Sequence, residues 1–292
     1  MEVSPTVLIV GCGKLGIKIG ENLNEQFNIV GIKRKSVDDY NDFRMIYLDV
    51  FDPLFDKTLK SIDPKYVVYA VSADDQSPLS YKNAYFDGVK KSIRSISDNC
   101  TQFKHLFFIS STRVYGSQSN ILLTESTIPK PHEFGGKALY DGELLVANSD
   151  LSATTLRLSG IYGAQRTHLV KIAKEQPLWP EKNRWTNRIH DEDIVNFISH
   201  LLNKLENNCL IETLYLLTDN KPAKLFDVLN FIRSSVGLNS LDVNKFDSVE
   251  GKQLKSITTK QAGFIFKYPD YKSGYRSIIL DLNKQSKNSD VA

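Results

Sequence analysis

Short apolar runs alternate with longer segments of helical periodicity through the first half of the chain. The runs are almost continuously apolar, which is typical of strands buried on both faces of a sheet. They are residues 6–10 (TVLIV), 28–32 (NIVGI), 44–48 (RMIYL), 65–71 (KYVVYAV), 105–110 (HLFFIS) and 153–158 (ATTLRL). This alternation predicts an α/β fold built on a doubly wound parallel sheet.

The second half has a less regular pattern. Residues 191–205 and 224–237 each place apolar side chains on one helical face, and Gly237 ends the second of these segments. Between them, ETLYLL fits a further strand.

The two patterns together predict a division of the chain into three parts. We expect a doubly wound domain over residues 1–165 and a smaller C-terminal region over 166–282, partly interleaved with the first. The polar, aperiodic residues 283–292 (NKQSKNSDVA) are expected to form a flexible tail.

Charge and composition exclude several classes of partner. Lys and Arg number 37 and Asp and Glu 34, and the basic residues are scattered, so a nucleic-acid partner is not expected. The three cysteines have no CxxC spacing and the five histidines no ligand pattern, so neither a disulfide framework nor a metal site is expected. No apolar run approaches membrane-spanning length, and the N-terminal residues have no leader pattern. These features predict a cytoplasmic protein without a membrane partner, and they leave monomer and homodimer open.

A glycine motif, GCGKLG, directly follows the first apolar run and opens a helical segment. In this context Gly11 permits a tight turn, Gly13 lets a pyrophosphate approach the backbone, and Gly16 lets the helix pack closely on the strand. The amides at the start of the helix, from Lys14 and Leu15 onward, supply an anion site. The motif therefore predicts a bound dinucleotide.

The end of the second apolar run indicates which dinucleotide binds. An NAD site usually has an acidic residue there, which holds the ribose 2′-hydroxyl. This chain has Lys33, Arg34 and Lys35 instead. Because a guanidinium suits a 2′-phosphate, NADP is favoured over NAD. The alternative is that the three basic residues belong to a solvated loop.

Several motifs occur in an order that resembles the extended short-chain dehydrogenase/reductases, the superfamily of NAD(P)-dependent sugar-nucleotide epimerases and dehydratases. They are GCGKLG, YLDV, YAVSA, SSTRVYG, LRLSGIYG and NRIHDEDI. FGGKALYDGE and YPDYKSGYR resemble the atypical, YeeZ-like branch. The resemblance covers about residues 6–280 and implies a Rossmann domain with a smaller substrate-binding domain.

The resemblance also implies roles for individual residues. Asp49, with its neighbour Val50, would contact the adenine, and Ala70 would line the adenosine ribose. The segment that contains Ser159 would lie beside the nicotinamide. Ser111 matches the catalytic serine or threonine of the family.

The chain departs from the family where the catalytic tyrosine and lysine belong. These residues lie four apart on one helix, so that the ammonium lowers the pKa of the phenol. Counting back from the family glutamate, which matches Glu143, places Gly135 at the tyrosine position and Leu139 at the lysine position. We therefore expect an empty volume beside the nicotinamide ribose. Glu133 and Lys137 keep the four-residue spacing only if the alignment slips by two.

Other side chains are weaker candidates for the missing proton donor. Tyr140 lies five residues beyond Gly135, which turns it away on a helix, and an ordinary packed tyrosine is the competing interpretation. His190 precedes a helix that Asp191 is able to cap, so a substrate contact and a structural role are both open. Arg188 and Lys182 would suit an anionic substrate. The alternative is that both belong to a solvated surface.

Two hypotheses about function follow. In the first, the chain is an NADP-dependent reductase or epimerase that acts on a carbonyl or hydroxyl of a small, sugar-like substrate. Ser111 would then polarise the substrate oxygen. In the second, the chain binds a dinucleotide without chemistry and serves as a sensor or a partner-binding module. The retained serine motif favours the first hypothesis and the missing tyrosine and lysine favour the second.

Overall fold

The computed structural model describes residues 4–35, 42–118, 121–175, 178–242 and 250–289. Contacts within the chain define two compact units. Unit 1 comprises Met1–Gly116, Ile128–Arg157 and Val195–Tyr215, and unit 2 comprises Ser117–Thr127, Leu158–Ile194 and Leu216–Ala292. The boundaries at residues 165 and 282 stay predictions about separable domains.

The strands of the described residues form one large sheet and three short pairs. The strands are Thr6–Val10 (β1), Asn28–Lys33 (β2), Arg44–Tyr47 (β3), Tyr66–Tyr69 (β4), His105–Ser111 (β5), Leu122–Leu123 (β6), Ala153–Leu158 (β7), Gly160–Tyr162 (β8), Trp185–Thr186 (β9), Arg188–His190 (β10), Leu214–Leu217 (β11), Ala223–Lys224 (β12) and Gln253–Leu254 (β13).

The large sheet has seven strands in the order β11-β7-β5-β4-β1-β2-β3. The four pairings from β3 to β5 are parallel, and Leu8 of β1 lies opposite Val30 of β2 and Val67 of β4. The chain runs outward from β1 to one edge and then returns to build the other, which is the Rossmann order. The predicted α/β fold with a doubly wound sheet is therefore confirmed.

Helices connect the strands and cover the sheet. The α-helices are Lys14–Leu23 (α1), Phe55–Ile62 (α2), Pro78–Lys82 (α3), Gly88–Asn99 (α4), Phe134–Ala147 (α5), His168–Lys174 (α6), Asp191–Glu206 (α7), Leu225–Ser235 (α8), Thr258–Gln261 (α9) and Tyr271–Ser289 (α10). A π-helical turn, Asn83–Asp87, joins α3 to α4, and a 3₁₀ turn, Thr112–Tyr115, follows β5.

The less regular second half forms the elements that its pattern predicts. The two amphipathic segments are α7 and α8, and Gly237 follows α8 with a left-handed φ of 80°. ETLYLL contains strand β11. Helix α10 extends to Ser289, so residues 283–289, expected to be a flexible tail, are helical, and residues 290–292 of that tail lie outside the described residues.

The core of unit 1 lies between the sheet and its helices. Leu8, Val67 and Phe108 from three neighbouring strands are buried in one cluster with Phe55 of α2 and Ile96 of α4. These strands carry apolar residues continuously because helices cover both faces of a parallel sheet.

Helix α5 approaches the π-helical turn very closely. A Cβ at Gly142 would lie only 2.1 Å from the backbone oxygen of Tyr85. Only a glycine fits at this contact, so Gly142 fixes the distance between α5 and the turn that follows α3.

A buried ion pair joins α5 to the sheet. Arg157 of β7 donates to Glu143 of α5 from Nε at 3.0 Å and from Nη2 at 2.6 Å, and both side chains are about 6% exposed. Ser110 of β5 donates to the same carboxylate at 2.6 Å, and Arg157 Nη1 donates to the Tyr115 hydroxyl at 3.0 Å. Four elements of unit 1 therefore meet at one satisfied polar network.

Unit 2 has its own apolar core. Val170 of α6, Phe226 and Ile232 of α8, and Tyr275 of α10 are buried together with Tyr162 of β8. The three short strand pairs, β8 with β10, β9 with β12 and β6 with β13, all lie in this unit. None of the helices among the described residues has the length and apolar character needed to span a bilayer.

The buried ion pair leads to a prediction about stability. Arg157→Met should lower the free energy of unfolding by about 3–5 kcal/mol, because Glu143 would remain buried without its cation. The double variant Glu143→Gln, Arg157→Met should recover at least half of that loss, since the amide carries no charge and still accepts from Ser110. Urea denaturation of the wild-type protein and the two variants measures both effects. Equal losses in the single and the double variant would contradict this account.

A buried histidine leads to a prediction about pH. His105 contacts the hydroxyls of Ser152 and Thr154 at 2.8 and 3.0 Å, and burial lowers its pKa from 6.5 to about 4. Because the folded state disfavours the charged ring, its contribution to stability is complete above pH 6.5 and is lost as the pH falls towards 4. At about 1.4 kcal/mol for each pKa unit, the loss reaches about 3 kcal/mol.

The variant His105→Gln should therefore have a flatter dependence of unfolding free energy on pH between 6.5 and 4 than the wild-type protein. His168→Gln, at an exposed position, is the matched control and should keep the wild-type slope. Parallel slopes for wild type and His105→Gln would rule out the buried neutral histidine.

Candidate functional site

The glycine loop lies between β1 and α1 in unit 1. Gly11 has a left-handed φ of 83°, and a Cβ there would lie 2.4 Å from the backbone nitrogen of Val71, which follows β4. A Cβ at Gly16 would lie 3.0 Å from Ile9 of β1. The loop thus requires glycine at Gly11 for its turn, and Gly16 allows close packing of the helix on the strand.

The first turn of α1 fits a pyrophosphate. Gly13 is the N-cap and brings no side chain to the helix terminus, and a Cβ built on it meets nothing within 4 Å among the described residues. The first turn carries no acidic residue, and Lys14 is exposed. The amides of this first turn, from Lys14 and Leu15 onward, have no acceptor within the helix, so the terminus offers hydrogen-bond donors in a positive field, as a phosphate group needs.

Cys12 lies between the two loop glycines. Its side chain is fully buried, and burial raises the pKa of the thiol to about 12. A Cβ at Gly31 of β2 would lie 2.9 Å from the Cys12 sulfur. This cysteine fills the space between α1 and β2.

Arg34, just after β2, is engaged by two carboxylates. Its guanidinium makes a bidentate contact with Asp74, in which Nη1 donates to one carboxylate oxygen at 2.7 Å and Nη2 donates to the other. Its Nε lies 3.6 Å from an oxygen of Asp49. The hydrogen bond and charge of Arg34 lower the pKa of Asp74. Since the side chains of Arg34 and Asp74 are 48% and 61% exposed, the pair contributes only about 0–1 kcal/mol and is easily displaced.

The other residues expected around the nucleotide differ in what they present. Ala70 follows β4, and its amide donates to Val10 at 2.8 Å, which ties it to the end of β1. Val50 is buried in the core of unit 1, so only its backbone is available to a ligand. Asp49 accepts from the amide of Phe51 at 2.8 Å and remains half-buried.

Ser111 is the last residue of β5, at the same sheet edge as the glycine loop. Its Oγ accepts from the amide of Arg113 at 3.3 Å, so its own proton is available to a ligand. Ser110, which points to the other face of the sheet, binds Glu143 instead. Unit 1 therefore brings Gly11, Ala70 and Ser111 to the ends of three adjacent strands.

The volume beside Gly135 is filled. A Cβ on Gly135 would lie 2.7 Å from Arg113 Nη2, 2.8 Å from Arg113 Cζ and 2.9 Å from Tyr81 Cε1. The expectation of an empty volume at this position is therefore wrong, because a guanidinium and a phenol ring lie there. Leu139, at the lysine position, is buried and offers no charge.

Glu133 is not a proton donor in this arrangement. Arg113 donates to its two carboxylate oxygens, from Nε at 2.8 Å and from Nη2 at 2.6 Å. This pairing lowers the pKa of Glu133, so the side chain is a carboxylate at neutral pH. Lys137, one turn further along α5, is exposed.

Tyr140 lies on another side of α5. Five residues of helix turn it about 140° from Gly135. It lines a cavity of about 510 Å³ with His105, Leu151, Leu210 and Leu214, and Ser111 is not among the residues of that cavity. Its catalytic role stays a prediction.

Ser159 and His190 belong to unit 2. Ser159 directly follows β7 and is buried, and its amide donates to Leu217 at 3.0 Å. His190 is buried between the rings of Tyr162 and Tyr268, at centroid distances of 5.0 and 3.9 Å. Its Nδ1 accepts from the amide of Glu192 at 3.2 Å, so the ring caps the first turn of α7. The proposed cofactor and substrate contacts of these two residues stay predictions.

The two basic residues considered for an anionic substrate also lie in unit 2. Arg188 is 5% exposed and donates to Thr186 at 2.7 Å, so it does not belong to a solvated surface. Lys182 is exposed. The described residues contain no group of three or more side chains placed to hold a metal ion.

Three residues of the site in unit 1 were not found from the sequence. Asp74 and Tyr81 meet their partners across 40 and 32 residues of chain, and no local pattern marks such contacts. Arg113 stands inside the serine motif, where its charge next to Ser111 was the one available signal.

Comparison with known proteins agrees with this fold. A solved structure from Methylobacillus flagellatus, described as a candidate NAD-dependent epimerase/dehydratase, is 30% identical and superimposes with a TM-score of 0.84, covering 96% of this chain and 99% of that one. UDP-glucose 4-epimerase from Thermotoga maritima is 16% identical, with a TM-score of 0.80 and coverage of 96% and 99%. The Bordetella bronchiseptica enzyme WbmG, solved with NAD, is 17% identical, with a TM-score of 0.73 and coverage of 94% and 93%.

The last two identities are low, so these structures establish the shared fold alone. A search among curated proteins found no match. The predicted membership of the epimerase/dehydratase superfamily is confirmed, whereas assignment to the YeeZ-like branch stays a prediction. The RmlD substrate binding domain family matches residues 5–271, and the chain therefore belongs to this family of the NAD-dependent epimerase/dehydratase superfamily.

Proposed function

We propose that the protein binds a nicotinamide dinucleotide, NADP in preference to NAD, and acts on a carbonyl or hydroxyl of a small, sugar-like substrate. The observation that carries this proposal is the position of Ser111, whose available hydroxyl proton lies at the same sheet edge as the glycine loop. Structural neighbours described with UDP-glucose or NAD support a substrate of this class and a cofactor of this type.

The preference for NADP rests on Arg34. Its guanidinium is exposed at the end of β2, and its present partner Asp74 holds it only weakly. A 2′-phosphate carries more charge than one carboxylate and would displace Asp74 from the guanidinium. Against this, Asp49 and Asp74 both repel a phosphate, and either would accept from a 2′-hydroxyl. The balance between one cation and two anions therefore sets the choice of cofactor.

The residues of unit 1 have separate tasks in the proposed reaction. The first turn of α1 binds the pyrophosphate, and Ala70 and Asp49 line the adenosine site. Ser111 donates its hydroxyl proton in a hydrogen bond to the substrate oxygen and so stabilises negative charge that develops there. A bound nicotinamide supplies the hydride acceptor or donor. A small-molecule substrate is the partner that this arrangement requires, and the three free cysteines fit a reducing cytoplasm.

A second candidate function is a dinucleotide sensor or partner-binding module without chemistry. Leu139, buried where the family lysine belongs, favours it, because no ammonium is present to act on a phenol from that position. The two functions differ in whether loss of the Ser111 hydroxyl changes turnover.

The first prediction from this proposal concerns cofactor preference. Calorimetry should give a lower Kd for NADPH than for NADH, by about 1–3 kcal/mol in binding free energy, as for a charge-assisted hydrogen bond. Arg34→Asp should reverse that order. Asp74→Asn should increase the preference for NADPH, since it removes a competing anion without changing the size of the side chain.

Arg94→Asp, which changes the same charge on an exposed part of α4, is the control and should leave both affinities unchanged. Equal affinities of the wild-type protein for the two cofactors, or an Asp74→Asn variant that turns towards NADH, would contradict the assignment of NADP.

The second prediction concerns the two adjacent serines of β5. With NADPH and a panel of nucleotide sugars and small ketones, Ser111→Ala should lower turnover about 10²-fold, while NADPH affinity and melting temperature stay near their wild-type values. Ser110→Ala is the matched control and should lower the melting temperature, because it removes a buried bond to Glu143. Turnover that survives Ser111→Ala unchanged would exclude Ser111 from the chemistry and favour the binding module.

A further inference from the structure

The place of the missing family tyrosine is occupied by two side chains from elsewhere in unit 1. The atoms nearest to a Cβ on Gly135 are the guanidinium of Arg113 and the ring of Tyr81. A phenol and a cation are the same two chemical groups that the family places at the positions of Gly135 and Leu139. Here they come from the turn after β5 and from helix α3.

Arg113 is held in a fixed orientation. Three of its five N–H groups are used, two on Glu133 and one on the Tyr81 hydroxyl. Its amide donates to Ser111, so the guanidinium belongs to the same short segment as the serine. With its side chain about one-third exposed, Arg113 faces both the protein and open solvent.

Tyr81 is likewise held in place, and its hydroxyl lies in a polar environment. Its ring packs against Phe134 and Tyr85 with centroid distances of 5.3 and 5.4 Å. The hydroxyl oxygen accepts from Arg113 Nη1, and its proton is donated to Gln76 Oε1 at 3.2 Å. The Arg113 Cζ also lies 4.9 Å from the ring centroid. A cation that donates to a phenol oxygen stabilises the phenolate.

We propose that Tyr81 is the proton donor of this site and that Arg113 is the cation that stabilises its phenolate. This inference rests on the proposed function and names the acid and base that the proposed function lacks. Glu133 is a positioning residue, because its two carboxylate oxygens accept from Arg113 and so orient the guanidinium.

In the reductive direction the substrate gains one hydride and one proton. A bound reduced nicotinamide would supply the hydride to the substrate carbon, and the carbonyl oxygen would take the phenolic proton of Tyr81. The O–H bond of Tyr81 breaks, an O–H bond forms on the substrate, and the phenolate remains beside Arg113 until water reprotonates it. In the oxidative direction the phenolate accepts the hydroxyl proton of the substrate.

A packing role for the pair is the competing explanation. In that case Arg113 and Glu133 fasten the start of α5 to the turn after β5, and Tyr81 only fills space. A purely structural pair would change stability when it is mutated but would not govern a proton transfer or its dependence on pH.

The test compares Tyr81→Phe with Tyr85→Phe, which removes a neighbouring phenol from the π-helical turn. Tyr81→Phe should retain wild-type NADPH affinity in calorimetry and lose about 10²–10⁴-fold in kcat with the substrate found in the panel. The alkaline limb of its pH–rate profile should disappear. Tyr85→Phe should retain both the rate and the profile.

A second measurement tests Arg113. Arg113→Met should lower kcat as Tyr81→Phe does, with NADPH affinity near its wild-type value, whereas Arg113→Lys should retain much of the wild-type rate because it keeps a cation beside the phenol. An Arg113→Met variant with the wild-type kcat would overturn the role of Arg113.

The outcomes separate this inference from the proposed function. If Ser111→Ala abolishes turnover and Tyr81→Phe does not, Tyr81 is not the donor and the proposed function stands. If the wild-type protein binds NADPH but turns over nothing in the panel, the proposed function and the donor role are both overturned.

Discussion

The buried pair of Glu143 and Arg157 sets the geometry on which the rest of unit 1 depends. One carboxylate holds β7 through Arg157 and β5 through Ser110, while Arg157 reaches the 3₁₀ turn through Tyr115. Helix α5 is thereby fixed against the strand that ends in Ser111, and Gly142 sets its distance from the π-helical turn. Loss of one partner leaves a buried charge, so substitutions in this network depend on one another.

This constraint also explains why Gly135 faces Arg113 and Tyr81. Both ends of α5 are anchored, the first turn by the bond between Arg113 and Glu133 and the later turns by Glu143. The absence of a side chain at Gly135 did not leave a void, because protein interiors are packed to high density and a neighbouring guanidinium and ring fill the space. The site retains a phenol and a cation, but it takes them from different elements of the chain.

The sequence was sufficient for features that depend on local pattern. Continuous apolar runs predicted the strands of the large sheet, and the glycine spacing after β1 predicted a loop whose conformation agrees with the expected role of each glycine. A Cβ at Gly135, the position found by counting from Glu143, would lie against Arg113 and Tyr81, and its place beside the nicotinamide ribose stays a prediction. Contacts between distant segments were not predictable. Tyr81 meets Arg113, and Asp74 meets Arg34, through side-chain directions that become defined only when the helices after β4 are packed.

Cys12 gives the nucleotide loop a chemical property of its own. Oxidants, alkylating agents and soft metals react with thiolates, and a fully buried sulfur whose pKa is raised to about 12 is almost never ionised in a cell. A cysteine at the centre of this loop therefore does not make it sensitive to peroxide or to disulfide exchange. An oxidant reaches the Cys12 sulfur only if the close packing between this loop and β2 opens.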